Sequence, residues 1–372
     1  MLKRRKLLLL LICLGCVAVA VFLFRTKEPS FEGHTLSDWV AAYAKPETKS
    51  QSDQKIEATA AIRHIGTNSI PYLLEWLRYE QPPGKPERLK KLSKPLVWLN
   101  NYFGAKGSWA LKDREWDRAE DTVLAFGALG PNAKEAVPEL SRLLNAPKNR
   151  FGAIRAGHAL AIIPEFGLPV LAAALTNAEP HIRGRAALSM AYLGTNGNPV
   201  IPMLIQVLDD EDRQVTYCAS DALRGLHPKG DLAVPGLIKC LQSTNAVCRA
   251  AAAQVLGVLR QDAMPAVPSL ITALGDTDEN SQRVATDALV DIAPNAMTND
   301  SVFVTATNAL HSPHAHLRIW ATYALRNFGS RAQSEVTSLR ACLLDTDVTV
   351  RYSATNALLK IAPELFTTNR AR

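Results

Sequence analysis

Ile201-Pro202-Met203-Leu204 closed by Leu208, Val234-Pro235-Gly236-Leu237 closed by Leu241, and Val267-Pro268-Ser269-Leu270 closed by Leu274 are three copies of one pattern. Earlier copies read Ile70-Pro71-Tyr72-Leu73 with Leu77, Val137-Pro138-Glu139-Leu140 with Leu144, and Leu168-Pro169-Val170-Leu171 with Leu175. From Pro138 onward the prolines are spaced by 31, 33, 33 and 33 residues. Proline is tolerated in the first turn of a helix, where its missing amide has no intrahelical partner, and is costly deeper in. The spacing therefore predicts six helices, each opening at or near its proline.

A second ladder runs in register with the first. Phe126, Leu160, Met190, Leu223, Leu256, Leu289, Leu325 and Leu358 recur at about the same period. Each is followed three positions on by Leu129, Ile163, Leu193, Leu226, Leu259, Ile292, Phe328 and Ile361. Apolar pairs at i, i+3 make one stripe of a helix. Each unit is thus two helices, the first rich in alanine and ending near Gly or Pro. A single pair cannot bury its own apolar face, so the units must stack. Near Val302 and Val336 the proline is missing and the second helix is less sharply marked.

Acids precede several first helices, as in Asp209-Asp210-Glu211-Asp212, Asp276-Thr277-Asp278 and Asp345-Thr346-Asp347. Negative charge there opposes the helix macrodipole favourably. Arg183, Arg249, Arg283, Arg318 and Arg351 sit early in those helices and are expected to meet acids of the neighbouring turn, stitching unit to unit.

The combination apolar-Arg-x-x-Ala-x-x-Ala-Leu, then Gly or Pro, then Val-Pro-x-Leu-x-x-x-Leu and an Asp-rich turn resembles the short HEAT repeats of the bilin-lyase type. The resemblance covers Lys55 to Ala362. It implies an all-α, right-handed solenoid of stacked antiparallel helix pairs, whose second helices line the concave face, and says little about activity. On that face Glu139, Arg142, Gln206, Lys239 and Thr272 are expected to be exposed.

The amino end is different in kind. Lys3-Arg4-Arg5-Lys6 is followed by 18 apolar residues, Leu7 to Phe24, and then by Arg25 and Lys27. That length reaches the lower end of a spanning helix, and the heavier basic cluster places residues 1–6 in the cytoplasm. The expectation is a single-pass signal anchor over 7–24 in a bacterial inner membrane, with a linker over 25–33 and a solenoid over 34–372 facing the periplasm. Cleavage near Ala20, or lipidation at Cys16, would be the alternatives. Thr35-Leu36-Ser37-Asp38 reads as a capping box that opens a capping helix within 34–45.

Taking the six leader cations from the 42 Lys and Arg leaves 36 against 35 acidic residues. The folded body is nearly neutral, which argues against nucleic acid as a partner. No P-loop, dinucleotide fingerprint or nucleophile elbow is present. His311, His314 and His316 form the only dense histidine group, at a spacing that fits no standard zinc pattern. Cys218, Cys240, Cys248 and Cys342 lie inside helical patterns and read as small buried hydrophobes, with a disulfide between two of them possible in an exported domain.

Residues 81–116 break the rhythm, with eight basic against three acidic side chains and with Trp98, Tyr102, Phe103, Trp109 and Trp116. The 64 residues from Ile62 to Phe126 leave room for a degenerate repeat. As a basic-aromatic patch, Lys90, Lys91, Trp98, Tyr102 and Trp109 are the candidate partner-binding residues. The reading that results is a monomeric, non-enzymatic protein-interaction scaffold needing no cofactor or metal. The alternatives are a lyase- or chaperone-like protein acting on a cofactor-bearing protein and, third, a nucleic-acid repair protein.

Overall fold

The computed structural model describes residues 28–45, 51–82, 113–292 and 300–367. The leader, with the anchor expected over 7–24, and the five candidate contact residues between 90 and 109 lie outside the described residues. No helix among the described residues is long and apolar enough to cross a membrane.

The chain is an all-α solenoid of repeated helix pairs, in two compact units, 1–139 and 140–372. The described part of the first unit opens with a small antiparallel hairpin, β1 (Ser30–Phe31) and β2 (His34–Thr35). Residues 28–33, expected as linker, are therefore structured: Glu28 bonds the Ser37 amide and hydroxyl, and Phe31 O accepts from the Trp39 indole. Helix α1 (Leu36–Ala44) follows, its first turn closed by a reciprocal capping box between Thr35 and Asp38. It buries Leu36, Trp39 and Val40.

Next come α2 (Gln51–Ile65) and α3 (Ile70–Leu77), then α4 (Arg114–Leu129) and α5 (Val137–Leu144). Helix α4 packs directly on α1, α2 and α3. The described helices on either side of the long interval are thus in direct contact; the degenerate repeat expected within it falls on residues outside those described. The last residues of that interval are regular as well, because the Asp113 carboxylate caps α4 by accepting from the Trp116 amide. The same carboxylate accepts from Tyr79 Oη at 2.9 Å and Gln81 Nε2 at 3.1 Å, tying the two ends of the interval together.

The second unit continues with α6 (Arg150–Ile162) and α7 (Pro164–Ala174), α8 (Pro180–Ser189) and α9 (Ile201–Val207), α10 (Arg213–Leu226) and α11 (Gly230–Cys240). Beyond these lie α12 (Ala246–Leu259) and α13 (Val267–Ala273), α14 (Glu279–Ile292) and α15 (Asp300–Ala309), α16 (Ala315–Phe328) and α17 (Val336–Ala341). The last pair is α18 (Val348–Ile361) with the single turn α19 (Glu364–Thr367). First helices stack in a row, α6 on α8, α8 on α10, and so on to α18. All eight leading residues of the apolar ladder, Phe126 to Leu358, are buried. Of their i+3 companions only Leu226 and Leu259 are half-buried.

The proline rule holds for α3, α5, α9 and α13, which open at their Ile-Pro or Val-Pro, and fails at two places. In α7 and α11, Pro169 and Pro235 lie inside the helix. The cause is the preceding turn. In the regular units a 3-10 segment carries the chain up to the proline. Here the reversal is made at once, by Ile163 (φ −112, ψ 63) and by His227 in the left-handed region, so the second helix opens early, at Pro164 and at Gly230 instead of at Leu168 and Val234. Each interior proline forgoes one helical hydrogen bond. Gly167 pays for the tight corner before α7: a Cβ there would lie 2.0 Å from the Leu160 carbonyl oxygen.

First helices end in a recurrent strained corner. Gly130, Gly194 and Gly329 hold φ of 52 to 61 with ψ near −130, a region that favours glycine strongly. At the end of α12 the same corner is made by Arg260, at φ 52 and ψ −126.

Candidate functional site

The inter-repeat turns carry ion pairs that join one repeat to the next. Arg183 sends Nε and Nη2 to the two carboxylate oxygens of Asp210, both at 2.8 Å. Arg249 grips Asp276 at 2.6 and 2.7 Å, and Arg318 grips Asp345 at 2.7 and 2.8 Å. In each case Nη1 donates to two carbonyls of the arginine's own turn: Asn177 and Ala178, Ser243 and Thr244, Ser312 and Pro313. Each aspartate also accepts the amide two residues on, from Asp212, Asp278 and Asp347. Bonding to Arg249 and to Arg318 holds the Asp276 and Asp345 carboxyls below the usual carboxylate range.

The stitch is made at every second turn. In two of the three units that carry the aspartate, the arginine position holds Thr216 or Gln282, each bonding its own turn's carbonyl, of Asp210 or Asp276; in the third it holds Arg351. Two of the five expected arginines depart from the stitching role. Arg283 sits one position late, because Gln282 occupies the stitching place, and pairs within its own helix with Asp287 and Asn280. Arg351 binds the carbonyls of Asp345 and Thr346 in its own turn.

Two members of the histidine group lie near each other. His314 and His316 lie with ring centres 5.5 Å apart, and His314 Nδ1 is 3.7 Å from Glu279. Among the described residues no three His, Cys, Asp or Glu side chains converge as metal ligands would.

What remains is the surface of the second helices. Arg142, Gln206, Lys239 and Thr272 are exposed there, while Glu139 is half-buried and ion-paired with Arg78. Between α9 and α11 this surface opens into a groove of about 750 Å3 lined by Pro202, Gln206, Leu232, Lys239, Cys240 and Gln242. Ile205 forms its floor. Gly236 sets the helix separation, since a Cβ there would sit 3.0 Å from Ile205 Cγ2. The lining is an apolar floor with a rim of amides, the Ser243 hydroxyl, one cation in Lys239 and one carboxylate in Asp209, which suits a peptide or protein surface.

Sequence reasoning read Cys240 and Cys248 as small buried hydrophobes, with a disulfide between two of the four cysteines possible; both lie at this groove, Cys240 half-buried in its wall and Cys248 fully buried. One is the last residue of α11 and the other the third of α12, the places held by Val207 and Val215, or Ala273 and Ser281, one repeat away. The 33-residue period aligned with the turn was the signal that these places face each other.

A family model for HEAT repeats matches residues 168–257. These residues resemble HEAT repeats. No curated protein matches the chain. Among solved structures, a HEAT-like repeats protein from the archaeon Thermococcus onnurineus NA1 is 14% identical, covering 60% of this chain and 96% of that one, at a TM-score of 0.43. A designed armadillo repeat protein is 16% identical over 52% of this chain and 99% of its own, at 0.35. An engineered protein is 22% identical over 62% and 90%, at 0.34.

Proposed function

We propose that this chain is a non-enzymatic scaffold that binds a protein partner along the second-helix surface of its repeats. The observation that carries the reading is the row Arg142, Gln206, Lys239 and Thr272, exposed at one repeat position, beside the groove between α9 and α11. A helix stack of this kind presents a rigid, extended surface whose exposed positions can change without disturbing the buried ladder. The near-neutral body favours protein over nucleic acid.

In the same proposal residues 7–24 hold the chain in a bacterial inner membrane, with residue 25 onward in the periplasm, and the basic-aromatic segment supplies a second contact through Lys90, Lys91, Trp98, Tyr102 and Trp109. An alkaline-phosphatase fusion at residue 30 checks the orientation, and activity is expected. For binding, the chain is cross-linked in cells and its partners identified by mass spectrometry, alongside two variants. One carries Gln206→Glu with Lys239→Glu, and the other replaces Trp98, Tyr102 and Trp109 by Ala. Loss of a defined partner from both variants supports two contacts, and loss from one assigns the surface. An unchanged partner set in both refutes the proposal.

A further inference from the structure

Cys240 and Cys248 lie on either side of the turn that joins α11 to α12, both at the groove. Cys248 Sγ also donates to the Cys240 carbonyl at 3.9 Å, and Cys240 Sγ to the Ile205 carbonyl at 3.7 Å. Their access to solvent differs. Cys240 is half-buried in the groove wall, while Cys248 is fully buried behind it. A small solute entering the groove reaches the first sulfur and not the second.

We propose that Cys240 and Cys248 form a redox-responsive pair, Cys240 the attacking thiol and Cys248 the buried resolving thiol, which closes to a disulfide across this turn with a small-molecule disulfide as oxidant. The contact with Cys248 lowers the Cys240 thiol's pKa, and that contact together with burial raises that of Cys248. This polarity agrees with the assigned order, since the thiolate is the nucleophile. Cys240 thiolate attacks one sulfur of the oxidant, whose S–S bond breaks and releases one thiol. The mixed disulfide on Cys240 places an electrophilic sulfur against Cys248. Cys248 loses its proton, attacks Cys240 Sγ and expels the second small thiol. Two protein thiols are oxidised by two electrons, and one external disulfide is reduced to two thiols.

The neighbouring repeats cannot do this, because Val207 and Val215, or Ala273 and Ser281, stand at the same places. Closure would pin the end of α11 to the first turn of α12 at one point in the stack, on the wall of the groove next to Lys239 and Ser243. The thiol chemistry stands whether or not a partner binds in the groove.

The test exposes the full chain to oxidised glutathione, blocks remaining thiols with iodoacetamide, and maps peptides by mass spectrometry. The wild type should yield the linked Cys240 and Cys248 peptides, lighter by two hydrogens, with Cys218 and Cys342 alkylated. Cys248→Ala should stop at a stable glutathione adduct on Cys240, and Cys240→Ser should leave Cys248 unmodified in the folded protein, judged by circular dichroism. The wild-type map needs no variant to fold. A persistent adduct on Cys240 in the wild type, linkage of either cysteine to another, or full alkylation of both would overturn the proposal.

Discussion

Replacing Arg260 by glycine should stabilise the second unit. Arg260 ends α12 with φ 52 and ψ −126, the geometry that Gly130, Gly194 and Gly329 supply at the equivalent corners. An L side chain in such a sparsely populated region costs about 1–3 kcal/mol. Glycine brings its own penalty through unfolded-chain entropy, about 0.5–1 kcal/mol. The Arg260 side chain is exposed, so little packing is lost. The net expectation is a gain of about 1 kcal/mol. For a domain of roughly 150–250 residues that shifts the thermal midpoint upward by about 2–4 °C. The assay is thermal unfolding by circular dichroism at pH 7, paired with the reciprocal change Gly329→Ala. A Cβ at Gly329 meets nothing within 4 Å, so that variant isolates the conformational cost and should lower the midpoint by a similar amount. If Arg260→Gly lowers the midpoint while Gly329→Ala leaves it unchanged, the idea that these corners are selected by backbone conformation is wrong.

Two other outcomes follow from the buried polar groups. Truncating the stitch with Arg249→Ala should cost about 3 kcal/mol, because its ion pair with Asp276 is only 14% and 8% exposed and truncation strands a buried carboxylate. Arg283→Ala, whose pair with Asp287 is 54% and 61% exposed, should cost under about 0.5 kcal/mol, and equal effects in urea titrations would contradict the ladder. His158, half-buried and stacked on Tyr192 at 3.8 Å, is held down to about 4 by burial and by the Arg155 charge. Its folded pKa lies below the unfolded value, so its contribution is complete above about pH 6.5 and is lost as pH falls towards 4. Stability should fall by about 1–2 kcal/mol between pH 7 and pH 5 from this residue, and a His158→Gln variant with an unflattened pH profile would exclude it.

Periodicity alone determined the all-α class, the helix pairing and nearly all of the core, because a repeat that buries its apolar face only against its neighbour must keep the same residues in the same register. The places where register shifts were not legible. Pro169 and Pro235 entered helix interiors because the preceding reversal, at Ile163 and at His227, was made in one or two residues instead of by a 3-10 turn. Arg283 looked like a stitching arginine, yet one residue of offset turns a helical side chain by about a quarter turn and hands the role to Gln282. That α4 packs on α2 and α3 was likewise not legible, since only through-space contact shows which helices are neighbours. The groove between α9 and α11, and the meeting of Cys240 with Cys248 in its wall, depend on how closely helices approach at Gly236 and how the turn after α11 folds back. Those distances arise from side chains of different repeats packing together, and no single repeat's sequence contains them.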